Sequence, residues 1–179
     1  MIVSTPYSSD KNLGKAYNKF FNLLPSGEWG CVRDLDTCFL TPSSIMVIEK
    51  YVKLFPETGI FTCYTNRVGY LPGVYKTNQV YQDRVDENSN MLDHIQIAQK
   101  LEGGELTVTE IDNVISGMLM VVKKEIWELV GGFPDGLLGI DNEFSKKVLD
   151  LGMKIYRMDN VYIWHTYRLW KNIRDKSHL

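Results

Sequence analysis

Short apolar runs of strand type alternate with amphipathic helical stripes along this chain, and this alternation limits its fold more than any other feature. The runs at 2–5, 29–32 and 59–64 are rich in β-branched, aromatic and other apolar residues, as strands are. Between them, apolar residues recur at helical spacing over 10–24 and 42–55, and a proline directly follows each stripe. Few hairpin signals occur. The sequence therefore predicts an α/β fold with a mixed, mostly parallel sheet flanked by helices.

The second half of the chain continues the pattern. Helices are predicted over 90–102, 124–130 and 141–151, each closed by glycine. Four further strands are predicted, at 105–111, 115–122, 153–157 and 161–165. Residues 65–90 show no regular period and are rich in turn-forming residues, which predicts a long, mobile surface segment. Asp10 and Thr41–Pro42 are the predicted starts of the first two helices.

Length and charge limit the classes of protein to consider. A chain of 179 residues holds one full hydrophobic core, so we expect one domain over 1–165 and a basic tail at 166–179. The net charge of −2 gives no broad attraction to nucleic acid. No signal peptide and no run of about 18 apolar residues occurs, so we expect a cytoplasmic protein without a transmembrane segment. Cys31, Cys38 and Cys63 lack CxxC spacing and are predicted to be reduced, buried thiols.

Two acidic residues, Asp34 and Asp36, follow directly on the predicted strand at 29–32. Ligands of α/β sheets bind outside the carboxyl ends of strands, which makes this pair a candidate site. Residues separated by one position in an extended segment point to opposite faces, so we expect one carboxylate to bind a metal ion and the other to bind something else. A solvated acidic turn is the alternative interpretation.

Two later residues are also candidates for chemistry. Asp141 starts a predicted helix behind a glycine-rich turn, where it is either an N-cap or a general base whose ionised form the helix dipole favours. His165 ends an apolar strand, where it is either a core histidine or a ligand. The other histidines, His94 and His178, have weaker claims, since they lie on a helix face and in the last residues.

Taken in order, these motifs resemble the family 2 glycosyltransferases with the GT-A fold over nearly the whole chain. The segments that carry the resemblance are 12–18 (NLGKAYN), 28–36 with its DxD-like Asp34-Leu35-Asp36, 116–120 (SGMLM), 128–133 (ELVGGF), 139–141 (GID) and His165. The last three are more specific than the DxD. The resemblance implies a single GT-A (Rossmann-like) domain that transfers a sugar from a nucleotide-sugar donor to a hydroxyl acceptor.

The resemblance also implies roles for individual residues. Asp36 and His165 would bind a divalent cation, Mn²⁺ or Mg²⁺, together with the diphosphate of the donor. Asp34 would contact the ribose or reach the ion through water. Asp141 matches the Asp of the family's "ED" pair and would be the catalytic base for a single displacement with inversion.

Further positions complete the expected donor site. Thr5 and Tyr7 resemble the positions that hold the nucleoside of a UDP- or GDP-sugar. Arg168 would clamp the diphosphate, since Arg suits bidentate phosphate contacts, and a solvated tail is the alternative. The expected acceptor is a glycan, a lipid-linked sugar or a protein, as in polysaccharide biosynthesis, and the basic tail would make at most peripheral membrane contact.

The chain departs from the family pattern in two places. A strand–helix unit that usually follows the first strand, with an acidic residue that reads the base, is missing or abbreviated. Ile140 stands where the family often has Glu, which leaves Asp141 as the base and Glu143 as a substitute. Two alternatives are therefore kept: a non-catalytic module that binds sugar or nucleotide, or serves in assembly, and a phosphatase of the haloacid dehalogenase type. The latter requires Thr or Val where Cys38 stands and leaves His165 unused.

Overall fold

The computed structural model of the chain describes residues 1–68, 78–81 and 90–166. Within these ranges the strands are β1 (Ile2–Ser4), β2 (Trp29–Arg33), β3 (Thr37–Phe39), β4 (Ile60–Thr65), β5 (Val108–Ile111), β6 (Leu119–Lys123) and β7 (Ile155–His165). The helices are α1 (Leu13–Leu23), α2 (Ser44–Leu54), α3 (Met91–Glu102), α4 (Lys124–Leu129) and α5 (Ile140–Asp150). The basic tail predicted at 166–179, including Arg168, lies outside the described residues from position 167 onward.

The strands form one mixed sheet in the order β1-β2-β6-β4-β7-β3. Strand β5 also pairs with β7, along its first residues, whereas β3 pairs with its last residues. This confirms the α/β prediction of a mixed sheet flanked by helices. The prediction of a mostly parallel sheet is wrong, because among the described strands only β1–β2 and β4–β7 pair in parallel. The reason is that β6 runs antiparallel between β2 and β4, while β7 also accepts β3 and β5 in antiparallel register.

The long strand β7 replaces the predicted pair of strands at 153–157 and 161–165. Its register against β4 shifts between Cys63 and Tyr64, whose partners are Met158 and Tyr162. The intervening residues of β7 form a bulge in which Asp159 and Asn160, both typical of turns, stand. These polar residues imitate a hairpin signal in the sequence, although the chain continues in one direction.

Helices cover both faces of the sheet. On one face, α1, α4 and α5 pack over a cluster that includes Tyr17, Phe21, Trp127, Phe133 and Phe144. On the other face, α2 packs its Val47, Ile48 and Tyr51 over a second cluster. Neighbouring strand residues alternate between the two, as Cys31 and Val32 do on β2, because successive side chains of a strand point to opposite faces.

Helix starts differ from the predictions by a few residues. The N-cap of α1 is Asn12, not Asp10, and its side chain accepts the Lys15 amide. Helix α2 begins at Ser44, two residues after Pro42. At that end the carboxylate of Glu102 accepts hydrogen bonds from a group of hydroxyls, namely those of Thr41, Ser43 and Ser44.

Other predictions meet mixed outcomes. Cys31 and Cys63 are buried, whereas Cys38 is exposed on β3, a strand that the sequence did not predict. Most of the segment predicted at 65–90 lies outside the described residues, but its Gln79 is fully buried and is thus no surface residue. No helix in the described parts of the chain has both the length and the apolar character needed to cross a membrane.

Candidate metal and donor site

The register of two strands brings distant residues together at one edge of the sheet. Strand β3 pairs antiparallel with the end of β7, and this pairing sets Thr37 opposite His165. Asp36 directly precedes Thr37, so its side chain meets the imidazole, and Asp36 Oδ1 lies 3.3 Å from His165 Nε2. The Thr166 amide also donates to the Asp36 carbonyl over 2.9 Å, which fastens the turn to the end of β7.

Asp34, Asp36 and His165 form one cluster. Each offers a ligand atom within 4.8 Å of those of the other two. The expectation that the two carboxylates point to opposite faces is therefore wrong. Asp34 and Asp36 belong to a turn rather than an extended segment, because the Thr37 amide and hydroxyl both donate back to the Asp34 carbonyl. That turn bends both side chains toward the end of β7.

A hydrogen bond at Nδ1 orients the ring of His165. Its Nδ1 lies 3.0 Å from the Arg67 carbonyl oxygen, which can only accept, so Nδ1 carries a hydrogen. Nε2, on the other side of the ring, faces the Asp36 carboxylate. A histidine held by a backbone carbonyl in this way is typical of metal ligands.

Asn66 fixes the backbone of His165. Its Oδ1 accepts the His165 amide over 2.7 Å, and its Nδ2 donates to the His165 carbonyl over 2.9 Å. Asn66 is fully buried and follows the last residue of β4, so its side-chain amide takes the place of a further strand residue. No sequence motif predicted a role for Asn66, although a polar residue at the carboxyl end of a strand was the available signal.

The surroundings of Asp34 disfavour the charged form of its carboxylate. Burial, aided by the nearby charges of Asp36 and Asp141, raises the pKa of Asp34 to about 6, although His165 and Tyr17 act in the opposite direction. The Tyr17 hydroxyl donates to Asp34 Oδ1 over 3.2 Å. For Asp36, burial also acts to raise the pKa, but the hydrogen bond and charge of His165 outweigh it and the pKa lies below its ordinary value.

Asp141 lies near the cluster but is held separately. The N-cap of α5 is Gly139, in the left-handed conformation at φ 76°, so the N-cap alternative for Asp141 is wrong. Its Oδ2 instead accepts the Gly117 amide over 2.6 Å. Burial raises the pKa of Asp141 above its ordinary value, against the lowering effect of that amide and those of Asn142 and Asp141 itself. The alternative base, Glu143, is exposed and paired with Lys147.

Gln79 holds the loop that carries Gly117. Its Oε1 accepts the Ser116 amide over 2.8 Å and its Nε2 donates to the Ser116 carbonyl over 2.9 Å. Nε2 also donates to the Thr62 hydroxyl, which ties the loop to β4. Gln79 was not predicted as a functional residue, and its position in an irregular segment offered no signal.

Three further residues that the sequence analysis considered, Thr5, Tyr7 and His94, are not members of this cluster. Thr5 follows β1, and because β1 and β2 are parallel neighbours it lies at the same sheet edge as Asp34. Tyr7 is 75% exposed near that edge. His94 is buried on α3, with its Nδ1 2.8 Å from the Tyr162 hydroxyl, and is part of the packing.

A set of two carboxylates and one imidazole can hold a divalent cation, and a separate carboxylate with a raised pKa can accept a proton. The arrangement thus provides the parts of a metal-assisted substitution at one edge of the sheet. Comparison with the models of known protein families finds no match to this chain, and comparison with curated proteins finds none either.

Proposed function

We propose that this protein is a metal-dependent, inverting glycosyltransferase that moves a sugar from a nucleotide-sugar donor to a hydroxyl acceptor. The proposal rests on one observation above all, the convergence of Asp34, Asp36 and His165 at the end of the strand that carries the DxD-like segment. The resemblance to family 2 assigns the same residues to metal and donor, although the sequence reasoning expected the carboxylates to diverge.

The cluster would hold Mn²⁺ or Mg²⁺ through Asp36 and His165, with Asp34 toward the donor. Mixed oxygen and imidazole ligands favour Mn²⁺ over Mg²⁺. When bound, such an ion supplies Lewis-acid neutralisation of the charge that gathers on the leaving diphosphate. The contact of His165 Nδ1 with the Arg67 carbonyl supports this assignment, because ligating imidazoles are usually fixed by a bond at the other nitrogen.

Asp141 would be the general base. The acceptor hydroxyl must lose its proton as its oxygen attacks the anomeric carbon, and Asp141 Oδ1 is the oxygen not engaged by the Gly117 amide. The raised pKa of Asp141 makes it a stronger base than an ordinary aspartate. With one base and no second carboxylate acting as nucleophile, the sugar would transfer in one displacement that inverts the anomeric centre.

A donor screen tests the proposal. The full chain is incubated with Mn²⁺, a panel of UDP- and GDP-sugars and a mixture of glycan and lipid-linked acceptors, and both free nucleotide and transferred sugar are measured. Asp141→Asn is expected to lower the rate at least about 100-fold while Mn²⁺ binding persists. Asp150→Asn, the same change on the same helix at an exposed position, is the matched control and should leave the rate unchanged.

Other results would redirect the assignment. Binding of Mn²⁺ and nucleotide without any transfer would identify a binding module in place of an enzyme. An unchanged rate in Asp141→Asn would remove the base assignment. Metal-independent activity at full rate in His165→Ala would remove the ligand assignment.

A further inference from the structure

The helix α1 segment 12–18 presents one polar atom to the candidate site, the hydroxyl of Tyr17. Tyr17 is 1% exposed, and its hydroxyl donates to Asp34 Oδ1 over 3.2 Å. The rest of its ring packs edge-on against Phe133, with the ring centres 5.0 Å apart. A buried tyrosine hydroxyl needs a hydrogen-bond partner, and for Tyr17 that partner is a carboxylate of the candidate site.

Two neighbours of Tyr17 hold α1 rigidly against the loop before α5. Gly14 approaches so closely that a Cβ there would lie 1.8 Å from the Pro134 carbonyl oxygen. Asn18 binds both the amide and the carbonyl of Phe133, over 2.8 Å each. The position of α1 against this loop is therefore set on either side of Tyr17.

We propose that Tyr17 is a positioning residue, which holds the Asp34 carboxylate in the rotamer that faces Asp36 and His165. Asp34 has no other side-chain donor among its described hydrogen bonds, whereas the Asp36 carboxylate has His165 Nε2 3.3 Å away. Carboxylates that bind ligands are oriented by such partners, whose loss typically weakens metal affinity or activity by about 10-fold or more. This inference rests on the proposed function in so far as Asp34 serves the metal or the donor.

The test compares two tyrosine hydroxyls. Tyr17→Phe removes the donor and keeps the ring that packs on Phe133. Tyr51→Phe is the matched control, because Tyr51 is also fully buried and its hydroxyl lies within hydrogen-bond distance of the Thr107 carbonyl and Asn160 Oδ1 on the opposite face of the sheet. Mn²⁺ affinity is measured by electron paramagnetic resonance of the free ion, and the KM for the donor and kcat are measured with the active sugar donor.

Tyr17→Phe is expected to raise the Kd for Mn²⁺ or the KM for the donor about 10-fold, with a smaller change in kcat. Tyr51→Phe should lower the thermal midpoint without changing either constant. Equal constants in Tyr17→Phe and the unaltered protein would overturn the positioning role. If Tyr17→Phe weakens Mn²⁺ binding but no donor supports transfer, the proposed function fails and the positioning role stands. Absence of Mn²⁺ binding in the unaltered protein would overturn both.

Discussion

Among single residues, Asp34 is one whose buried negative charge lowers the stability of the fold. Its pKa in the folded chain is about 6, because it is buried near two other carboxylates. The unfolded value is about 3.9, so the folded state binds more protons between these two values. Protonation of Asp34 therefore stabilises the folded state fully below about pH 4. This contribution to the free energy of unfolding is lost as the pH rises to about 6 and stays lost above it.

Replacing Asp34 with Asn should therefore stabilise the metal-free protein, and more so at neutral than at acid pH. We expect the gain in free energy of unfolding to increase by about 1–2 kcal/mol from about pH 4.5 to about pH 7.5. Urea unfolding of both proteins at the two pH values, with a chelator present, measures it. Asp112→Asn, at an exposed position, should show no such dependence. A gain that is equal at both pH values would contradict the raised pKa.

Gly117 is the second residue on which the site depends. A Cβ at this position would lie 2.7 Å from Asp141 Cβ and 3.1 Å from Asp141 Oδ2. Gly117→Ala should displace the Asp141 carboxylate and lower the transfer rate about 10-fold or more, because a base must keep hydrogen-bond distance to its proton. Mn²⁺ binding should persist. Gly103→Ala is the control, since the atom nearest to a Cβ at Gly103 would be 3.6 Å away and the φ of Gly103 is −75°. Full activity of the Gly117→Ala protein would exclude Asp141 as the base.

At the scale of elements, helix α1 depends on a glycine that its own helical propensity would disfavour. Ala in place of Gly inside a helix normally gains about 0.5–1 kcal/mol. At Gly14 the new Cβ meets the backbone of Pro134, and the Gly14 amide donates to the Gly136 carbonyl over 3.1 Å. The contact between α1 and this loop therefore decides which residue is tolerated.

Gly14→Ala should consequently lower the free energy of unfolding by about 1–3 kcal/mol, although propensity alone predicts a gain. Lys15→Ala, exposed on the same helix, should change it by about 0.5 kcal/mol or less. Chemical denaturation of the two variants and the unaltered protein, fitted with shared baselines, measures both changes in the free energy of unfolding. A Gly14→Ala protein more stable than the unaltered one would show that α1 does not approach the loop this closely.

At the scale of the whole molecule, two apolar clusters on the faces of one sheet support the fold without the candidate site. Their residues come from α1, α2, α4, α5 and the central strands, while the site occupies one edge. Asp34, Asp36 and His165 are thus additions to a fold whose stability is hydrophobic in origin.

Removal of metal should accordingly leave the fold intact. Addition of a chelator is expected to leave the far-ultraviolet circular dichroism unchanged, whereas Mn²⁺ should raise the thermal midpoint in a concentration-dependent manner. Asp36→Asn should abolish this rise, since it removes a ligand charge. Calorimetric scans over a series of Mn²⁺ concentrations measure the effect, and unfolding by the chelator would show that the metal is structural.

Local patterns in the amino-acid sequence predicted the α/β class of fold and the candidate residues of the site. Helical and strand periodicities located the main elements, and Asp34, Asp36, Asp141 and His165 were recognisable as candidates from position alone. These features are local, since each depends on residues a few positions apart. The end of a strand or the start of a helix can be recognised without knowing its neighbours.

Only the tertiary structure decided how the strands pair and which side chains meet. The register of β3 on β7 sets His165 beside Asp36, and the bulge near Asn160 turns two predicted strands into one. Tyr17 reaches Asp34 because α1 lies directly against the loop at Pro134. Contacts between different elements depend on how the sheet and its helices pack, and no local periodicity in the sequence records them.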